Sequence, residues 1–257
     1  MMMEQQQNYI QTHVVQKKTL SQALAILTLK PSHPFEFKPG QYCTVVMDEI
    51  ARPYSICSAP HEGLLELFLE IVPDELRQST SLTPKLFHLN IGDTVFIRKK
   101  AKGLFLLDPT ASTHVFVATV TGIAPFISMI RSYVHGYYQP MLIQEPFYVF
   151  QGASYGDEFG YDAQLKSLET TGVLRYIPTV SRPNEERNQN WHGKTGRVNL
   201  ILEPYLEEFK IGPKNTMIYL CGHRGMIEYL GNHREKSGKP LGTLVKKGYQ
   251  TKEEIYF

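Results

Sequence analysis

From Asn8 to about Lys102, apolar and β-branched residues fall into short runs separated by turn residues: Tyr9–Val15, Ala23–Leu29, Gln41–Met47, Arg52–Ser58, Leu64–Val72 and Thr94–Arg98. Runs of this length, bounded by Gly, Pro, Asn and Asp, predict strands. The punctuation agrees, with Pro39-Gly40 before the third run, Glu62-Gly63 before the fifth and Ile91-Gly92-Asp93 before the last. Six short antiparallel strands close into a barrel more readily than they lie flat, because closure removes exposed edges. One helical piece, Thr83–Leu89, interrupts them, with Pro84 where a first turn tolerates it.

The segment Gly103-Leu104-Phe105-Leu106-Leu107-Asp108-Pro109 looks like a join, and the rhythm then changes. His114–Thr119 is a continuous apolar run, followed by Gly122 and by helical spacing over Ile123–Val134. Strand-like runs at Phe147–Phe150, Leu174–Val180 and Met217–Cys221 then alternate with helical stretches around Asp162–Leu168, Val198–Phe209 and Gly225–Tyr229. Alternation of this kind predicts βα units and a doubly wound parallel sheet. The expected architecture is therefore a β-barrel domain over 1–108 followed by an α/β domain over 109–257. Pro183–Trp191 is polar and is expected to be a mobile loop, and the end of the chain, Glu254–Phe257, suits either an edge strand or a ring that stacks on a flat ligand.

At 257 residues the chain has room for two such domains. A net charge of +2 is too mild for a nucleic-acid or membrane surface, although an acidic partner protein remains compatible with it. Cys43, Cys57 and Cys221 are too few and too scattered for a disulfide framework or a metal-ligand set, which points to a reducing, cytoplasmic setting. Met1 to Asn8 reads as a short disordered leader without the basic-then-apolar pattern of a signal peptide, and no stretch approaches the ~18 apolar residues of a membrane span. Nothing in the sequence addresses oligomeric state.

Candidate chemistry gathers in a few places. Arg52-Pro53-Tyr54-Ser55 combines a guanidinium that suits a pyrophosphate, a flat ring and a hydroxyl; on a strand, Arg52 and Tyr54 share one side and Ser55 takes the other. The same four residues would also suit an ordinary exposed strand. In a parallel sheet, ligands bind beyond the carboxyl ends of the strands. Thr119-Val120-Thr121-Gly122-Ile123-Ala124-Pro125 follows the first strand there, and its glycine would let the backbone approach a ligand. Ser181-Arg182 and, further on, Thr195-Gly196-Arg197 offer a hydroxyl and two guanidiniums for a phosphomonoester, or else solvated surface charge. Cys221-Gly222 would put a thiol beside a nicotinamide, or simply a buried inert cysteine. His223 reads as surface, since a hydride needs no proton relay.

In this order the pieces resemble the ferredoxin–NADP(+) reductase family, particularly its bacterial-type members, from about Val14 to Phe257. The resemblance implies that Arg52 meets the FAD pyrophosphate, that Pro53 and Tyr54 lie along the flavin, and that Ser55 approaches flavin N5. It further implies that Phe68 and Ile71 line the flavin, and that Ser81, Leu82 and Thr83 close over its phosphates after a small insertion at Glu75–Thr80. Thr121 and Gly122 are similar to the turn beside the nicotinamide and pyrophosphate, and Cys221 to the family's Cys-Gly cysteine. Ser181, Arg182 and Arg197 resemble the 2′-phosphate site that favours NADP(H), although Ser154 stands where some bacterial relatives carry a further arginine. Phe257 resembles the terminal aromatic that covers the flavin.

Ser55, Cys221 and Phe257 are thus the expected catalytic residues. The implied activity is hydride transfer between NADP(H) and FAD, followed by one-electron exchange with a ferredoxin or flavodoxin. The rivals are a reductase component of an oxygenase system and a flavin-binding module without turnover.

Overall fold

The computed structural model describes residues 8–72, 81–139, 145–232 and 242–256. The leader over 1–7, the stretch 73–80 that holds the expected insertion, and the terminal Phe257 lie outside the described residues. By contact the chain divides into two compact units, Met1–Leu107 with Ala124–Tyr137 and Asp108–Ile123 with Tyr138–Phe257.

The first unit holds β1 (Tyr9–Thr19), β2 (Leu24–Pro31), β3 (Tyr42–Met47), β4 (Ile50–Ser55), β5 (Leu65–Glu70) and β6 (Thr94–Arg98). They form one sheet in the order β4-β3-β6-β1-β2-β5, antiparallel throughout. A bridge between Ile56 and Leu67, and a 2.8 Å bond from the Cys57 N–H to the Glu66 carbonyl, join the two ends into a nearly closed barrel. Strand alternation fills it: on β5, Leu65, Leu67 and Leu69 enter the core, each contributing roughly 2 kcal/mol on burial. The short helix α1 (Thr83–Phe87) closes the barrel, with Leu82 and Leu86 fully buried in the same core.

The β3–β4 hairpin sets the register that the site depends on. Its two turn residues, Asp48 and Glu49, both have positive φ (49° and 64°), the geometry of a tight type I′ turn. That turn pairs Val45 with Arg52 and Cys43 with Tyr54. Helix α2 (Ala124–Val134) groups with this unit: the Ser128 hydroxyl donates to the Ser58 carbonyl at 2.7 Å, and Arg131 pairs with Glu66 at 3.0 Å and Glu62 at 3.4 Å.

The second unit holds β7 (Thr113–Thr119), β8 (Phe147–Ala153), β9 (Leu174–Val180), β10 (Lys194–Thr195), β11 (Thr216–His223) and β12 (Gln250–Tyr256). All pairings are parallel, in the order β10-β9-β8-β7-β11-β12. Between the strands run α3 (Asp162–Thr170), α4 (Val198–Glu208), α5 (Arg224–Leu230) and α6 (Thr243–Lys246). Successive residues Val115, Phe116, Val117 and Ala118 on β7 are all fully buried, as expected for a strand covered on both faces. The chain winds outward from β7 to β10, then returns to the other side of β7 for β11 and β12. The carboxyl ends of β7 and β11 therefore form a topological switch point. The end of the chain, which the sequence left open, pairs along β11 as an edge strand, from Met217–Gln250 to His223–Tyr256.

Candidate functional site

In the first unit, cross-strand pairing puts Arg52 and Tyr54 on the side of β4 that carries Val45 and Cys43, and Ser55 on the other. Tyr54 packs against the barrel core, and its hydroxyl lies 3.0 Å from the Thr83 hydroxyl. Burial pushes its phenol up to about 12, against the opposing effects of the Thr83 bond and the Arg52 charge, so Tyr54 stays a neutral hydroxyl. The Arg52 guanidinium donates to the Ala51 carbonyl at 2.8 Å. Pro53 is exposed and Ser55 is buried.

Phe68 is buried on the face of β5 opposite the core leucines, with Ile26 as its cross-strand partner. Ile71 follows β5 and donates its N–H to Ala23 at 2.8 Å. Ser81 is half-buried, whereas Leu82 is committed to the core. The structure thus brings Arg52, Tyr54 and Thr83 together, with Ser55 and Phe68 on other faces of their strands.

In the second unit, the ends of β7 and β11 are clamped by two glycines. A Cβ on Gly122 would lie 2.2 Å from the Cys221 carbonyl oxygen, and one on Gly222 would lie 2.2 Å from the Thr119 hydroxyl. Gly222 also has φ +126°, a conformation that side chains rarely adopt. The His223 N–H donates to the Thr119 hydroxyl at 2.7 Å, closing the clamp. Val120 has a positive φ of 40° in the same turn, and Thr121 and Gly122 are buried.

Cys221 is fully buried. Burial, and then the charge of Glu254 on the paired strand, push its thiol well above the usual range, with a hydrogen bond from the Tyr256 side chain opposing. It is a neutral thiol and no nucleophile. The His223 ring accepts the Gly225 N–H at 3.0 Å and caps α5, a structural duty.

Register also unites the third patch. Val180 at the end of β9 pairs with Thr195 at the end of β10, so Ser181-Arg182 and Arg197 leave neighbouring strand ends. The Thr179 hydroxyl donates to the Gly196 carbonyl at 2.8 Å and holds the second turn in place. Arg182 and Arg197 are both exposed, and Arg197 is the N-cap residue of α4.

The sequence missed what surrounds Arg182. The segment expected to be mobile, Pro183–Trp191, is tied down by Asn188, which is buried at 3% exposure. Asn188 donates to the carbonyls of Ser154 (2.9 Å) and Arg182 (2.8 Å) and accepts from the Gly156 N–H (2.9 Å). Trp191 packs against Ala153, Phe159 and Val180. Tyr155, at the end of β8, has the Arg182 guanidinium 5.6 Å and the Arg187 guanidinium 4.1 Å from its ring centre. The only available signal was an aromatic following a buried strand, and polar composition hid the single inward-facing asparagine.

Among the described residues, no cluster of His, Cys, Asp and Glu could hold a metal ion, and no helix is long and apolar enough to cross a membrane.

The chain is similar to reductases of several names, among them ferredoxin–NADP reductases and an NAD(P)H-flavin reductase of Aliivibrio fischeri, 28% identical over 214 residues. The model of the oxidoreductase NAD-binding domain matches residues 116–231. A flavodoxin/ferredoxin–NADP reductase of Buchnera aphidicola is 29% identical over 215 residues, covering 75% of this chain and 77% of that protein. Ferredoxin–NADP reductase A of Sorangium cellulosum is 28% identical over 248 residues, covering 87% and 85%. The crystal structure of a ferredoxin NADP+ reductase from Neisseria gonorrhoeae, with bound FAD and NADP, superposes with a TM-score of 0.74 over 97% of this chain and 99% of that one, at 21% identity.

Proposed function

We infer, for a chain that belongs to the ferredoxin–NADP(+) reductase family, an enzyme that holds FAD on its barrel, exchanges a hydride with NADP(H), and passes single electrons to or from a ferredoxin or flavodoxin. The observation that carries the reading is the Gly122–Gly222 clamp. It locks the ends of β7 and β11 together at the switch point of a parallel sheet, where dinucleotides bind, with a neutral, buried thiol at Cys221 beside it.

The barrel residues fit the flavin cofactor by the chemistry of their donors. Arg52 supplies a cation for a pyrophosphate, while Tyr54 and Thr83 supply neutral hydroxyls on the same patch. Ser55 and Phe68 would line the ring system, with Pro53, Ile71, Ser81 and the Leu82 backbone bounding it. Phe257 is assigned the outer face of the ring on the strength of the resemblance alone. Bound FAD would supply the hydride acceptor and the step from two-electron to one-electron chemistry, which no side chain here provides.

This chain's residues contribute position and electrostatics. Tyr54 orients without ionising. Thr121 and Gly122 belong to the turn that would border the dinucleotide, and the buried Cys221 thiol would add neither a nucleophile nor a charge beneath the nicotinamide. Ser181, Arg182 and Arg197 would take the 2′-phosphate, which selects NADP(H) over NAD(H).

Stopped-flow reduction of the flavin by NADPH and by NADH, in the wild type and in Arg182→Ala, tests the assignment. The expected result is faster reduction by NADPH, with that preference lost in the variant. Equal rates with both nucleotides in the wild type would overturn the 2′-phosphate site, and a yellow protein bleached by neither would favour a binding module.

A further inference from the structure

We propose that Glu185 is a specificity-determining residue: its carboxylate engages Arg182 in the free protein and competes with the nucleotide's 2′-phosphate, lowering the preference for NADPH over NADH. The inference rests on the reading that Ser181, Arg182 and Arg197 receive that phosphate.

Glu185 and Arg182 meet directly and through Tyr155. One guanidinium nitrogen of Arg182 lies 3.4 Å from Glu185 Oε1 and donates to the Tyr155 hydroxyl at 3.1 Å, and that hydroxyl donates to Glu185 Oε2. Three side chains thus close a ring in which Glu185 and Tyr155 share one of the guanidinium nitrogens that a phosphate would use. Arg182 and Glu185 are both about half exposed, so the contact is weak enough for a ligand to displace.

The backbone that carries the carboxylate is nevertheless held beside Arg182. The Glu185 N–H donates to the Arg182 carbonyl at 3.2 Å, and the Asn188 N–H donates to the Glu185 carbonyl at 2.8 Å. The buried Asn188 side chain holds the Arg182 carbonyl as well, so the backbone of Glu185 stays beside Arg182 when the side chains part. The neighbouring cation offers no compensation, because Arg187 is spent on Asp157 through two bonds of 2.9 and 2.7 Å.

A 2′-phosphate arriving at Arg182 therefore competes with the Glu185 contact and sits close to a negative charge tethered beside the guanidinium. A 2′-hydroxyl meets no such repulsion and has a carboxylate to which it can donate. Repulsion between a phosphate and a carboxylate about 5 Å apart in water amounts to roughly tenfold in affinity at low salt, and it fades as ionic strength rises.

The test compares adenosine 2′,5′-bisphosphate with adenosine 5′-monophosphate, titrated calorimetrically against wild type, Glu185→Gln and Arg182→Ala at about 0.03 M and 0.5 M salt. Glu185→Gln should bind the bisphosphate roughly tenfold tighter at low salt, lose most of that gain at high salt, and bind the monophosphate within about twofold of wild type. Arg182→Ala should lose bisphosphate affinity. Bisphosphate affinity that is unchanged or weaker in Glu185→Gln, while Arg182→Ala loses it, would overturn the role of Glu185 alone. A gain that is equal for both ligands or indifferent to salt would also overturn it, since a merely structural effect behaves that way. Wild-type bisphosphate binding in Arg182→Ala would bring down the underlying phosphate site and the proposal with it.

Discussion

His114 gives the second unit a built-in acid sensitivity. It lies on β7 with no exposed surface, between the rings of Phe147 and Tyr219, and its Nδ1 is 3.1 Å from the Tyr219 hydroxyl. Burial lowers its pKa from about 6.5 to about 4, only partly opposed by the charge of Asp108 and a backbone bond at Ala111. The unfolded chain thus takes up a proton at pH values where the folded chain refuses it. The resulting stability is fully present above the unfolded pKa and is lost as pH falls from about 6.5 toward about 4. At 1.36 kcal/mol per unit the full span is worth about 3 kcal/mol, of which about 2 kcal/mol is gone by pH 5.

Urea titrations at pH 8 and pH 5, in the wild type and in His114→Phe, isolate this contribution. The variant should be about 1 kcal/mol less stable at pH 8, where the Tyr219 hydroxyl loses its imidazole partner. Between pH 8 and pH 5 it should lose about 2 kcal/mol less than the wild type. If both proteins lose the same amount, the imidazole is not held neutral by burial and the argument fails.

Two further substitutions probe the sheet's carboxyl edge. Gly122→Ala pushes a methyl group against the Cys221 carbonyl, so stability should drop by about 1–3 kcal/mol and NADPH should bind more weakly; wild-type values for both would mean that the clamp has slack. Asn188→Ala leaves the Ser154 and Arg182 carbonyls and the Gly156 N–H short of a partner, a cost of about 1–3 kcal/mol. Limited proteolysis should then open new cleavage within 183–191, and a digestion pattern identical to wild type would contradict the pinned loop.

How much of this was legible varies with the physics involved. The six barrel strands and the βα alternation were readable because burial imposes a period on sequence: β5 runs Leu65-Glu66-Leu67, and the middle of β7, Val115-Phe116-Val117-Ala118, is apolar without a break. Arg52 and Tyr54 could be assigned to one side of a strand for the same reason. The β3–β4 turn was invisible, since Asp48-Glu49 lacks the Asn-Gly or Asp-Gly signature of a type I′ hairpin and adopts positive φ under the pull of strand pairing. The loop after Arg182 was misread because one buried asparagine orders it, and a polar side chain turned inward looks, in sequence, like one turned outward. The ring of Arg182, Tyr155 and Glu185 depends on β8 and β9 ending side by side, which the residues near Arg182 do not encode.

The grouping of α2 with the barrel has a consequence for how the chain is made. The path passes between the two units three times, after residues 107, 123 and 137, so neither unit is a contiguous piece of polypeptide. During synthesis the barrel's full complement of contacts has to wait for the helix that bears Ser128 and Arg131, which emerges only after the first strand of the other sheet. A single cut placed anywhere along the chain leaves at least one unit without part of itself, so the two are expected to be inherited, and to mature, as an indivisible pair.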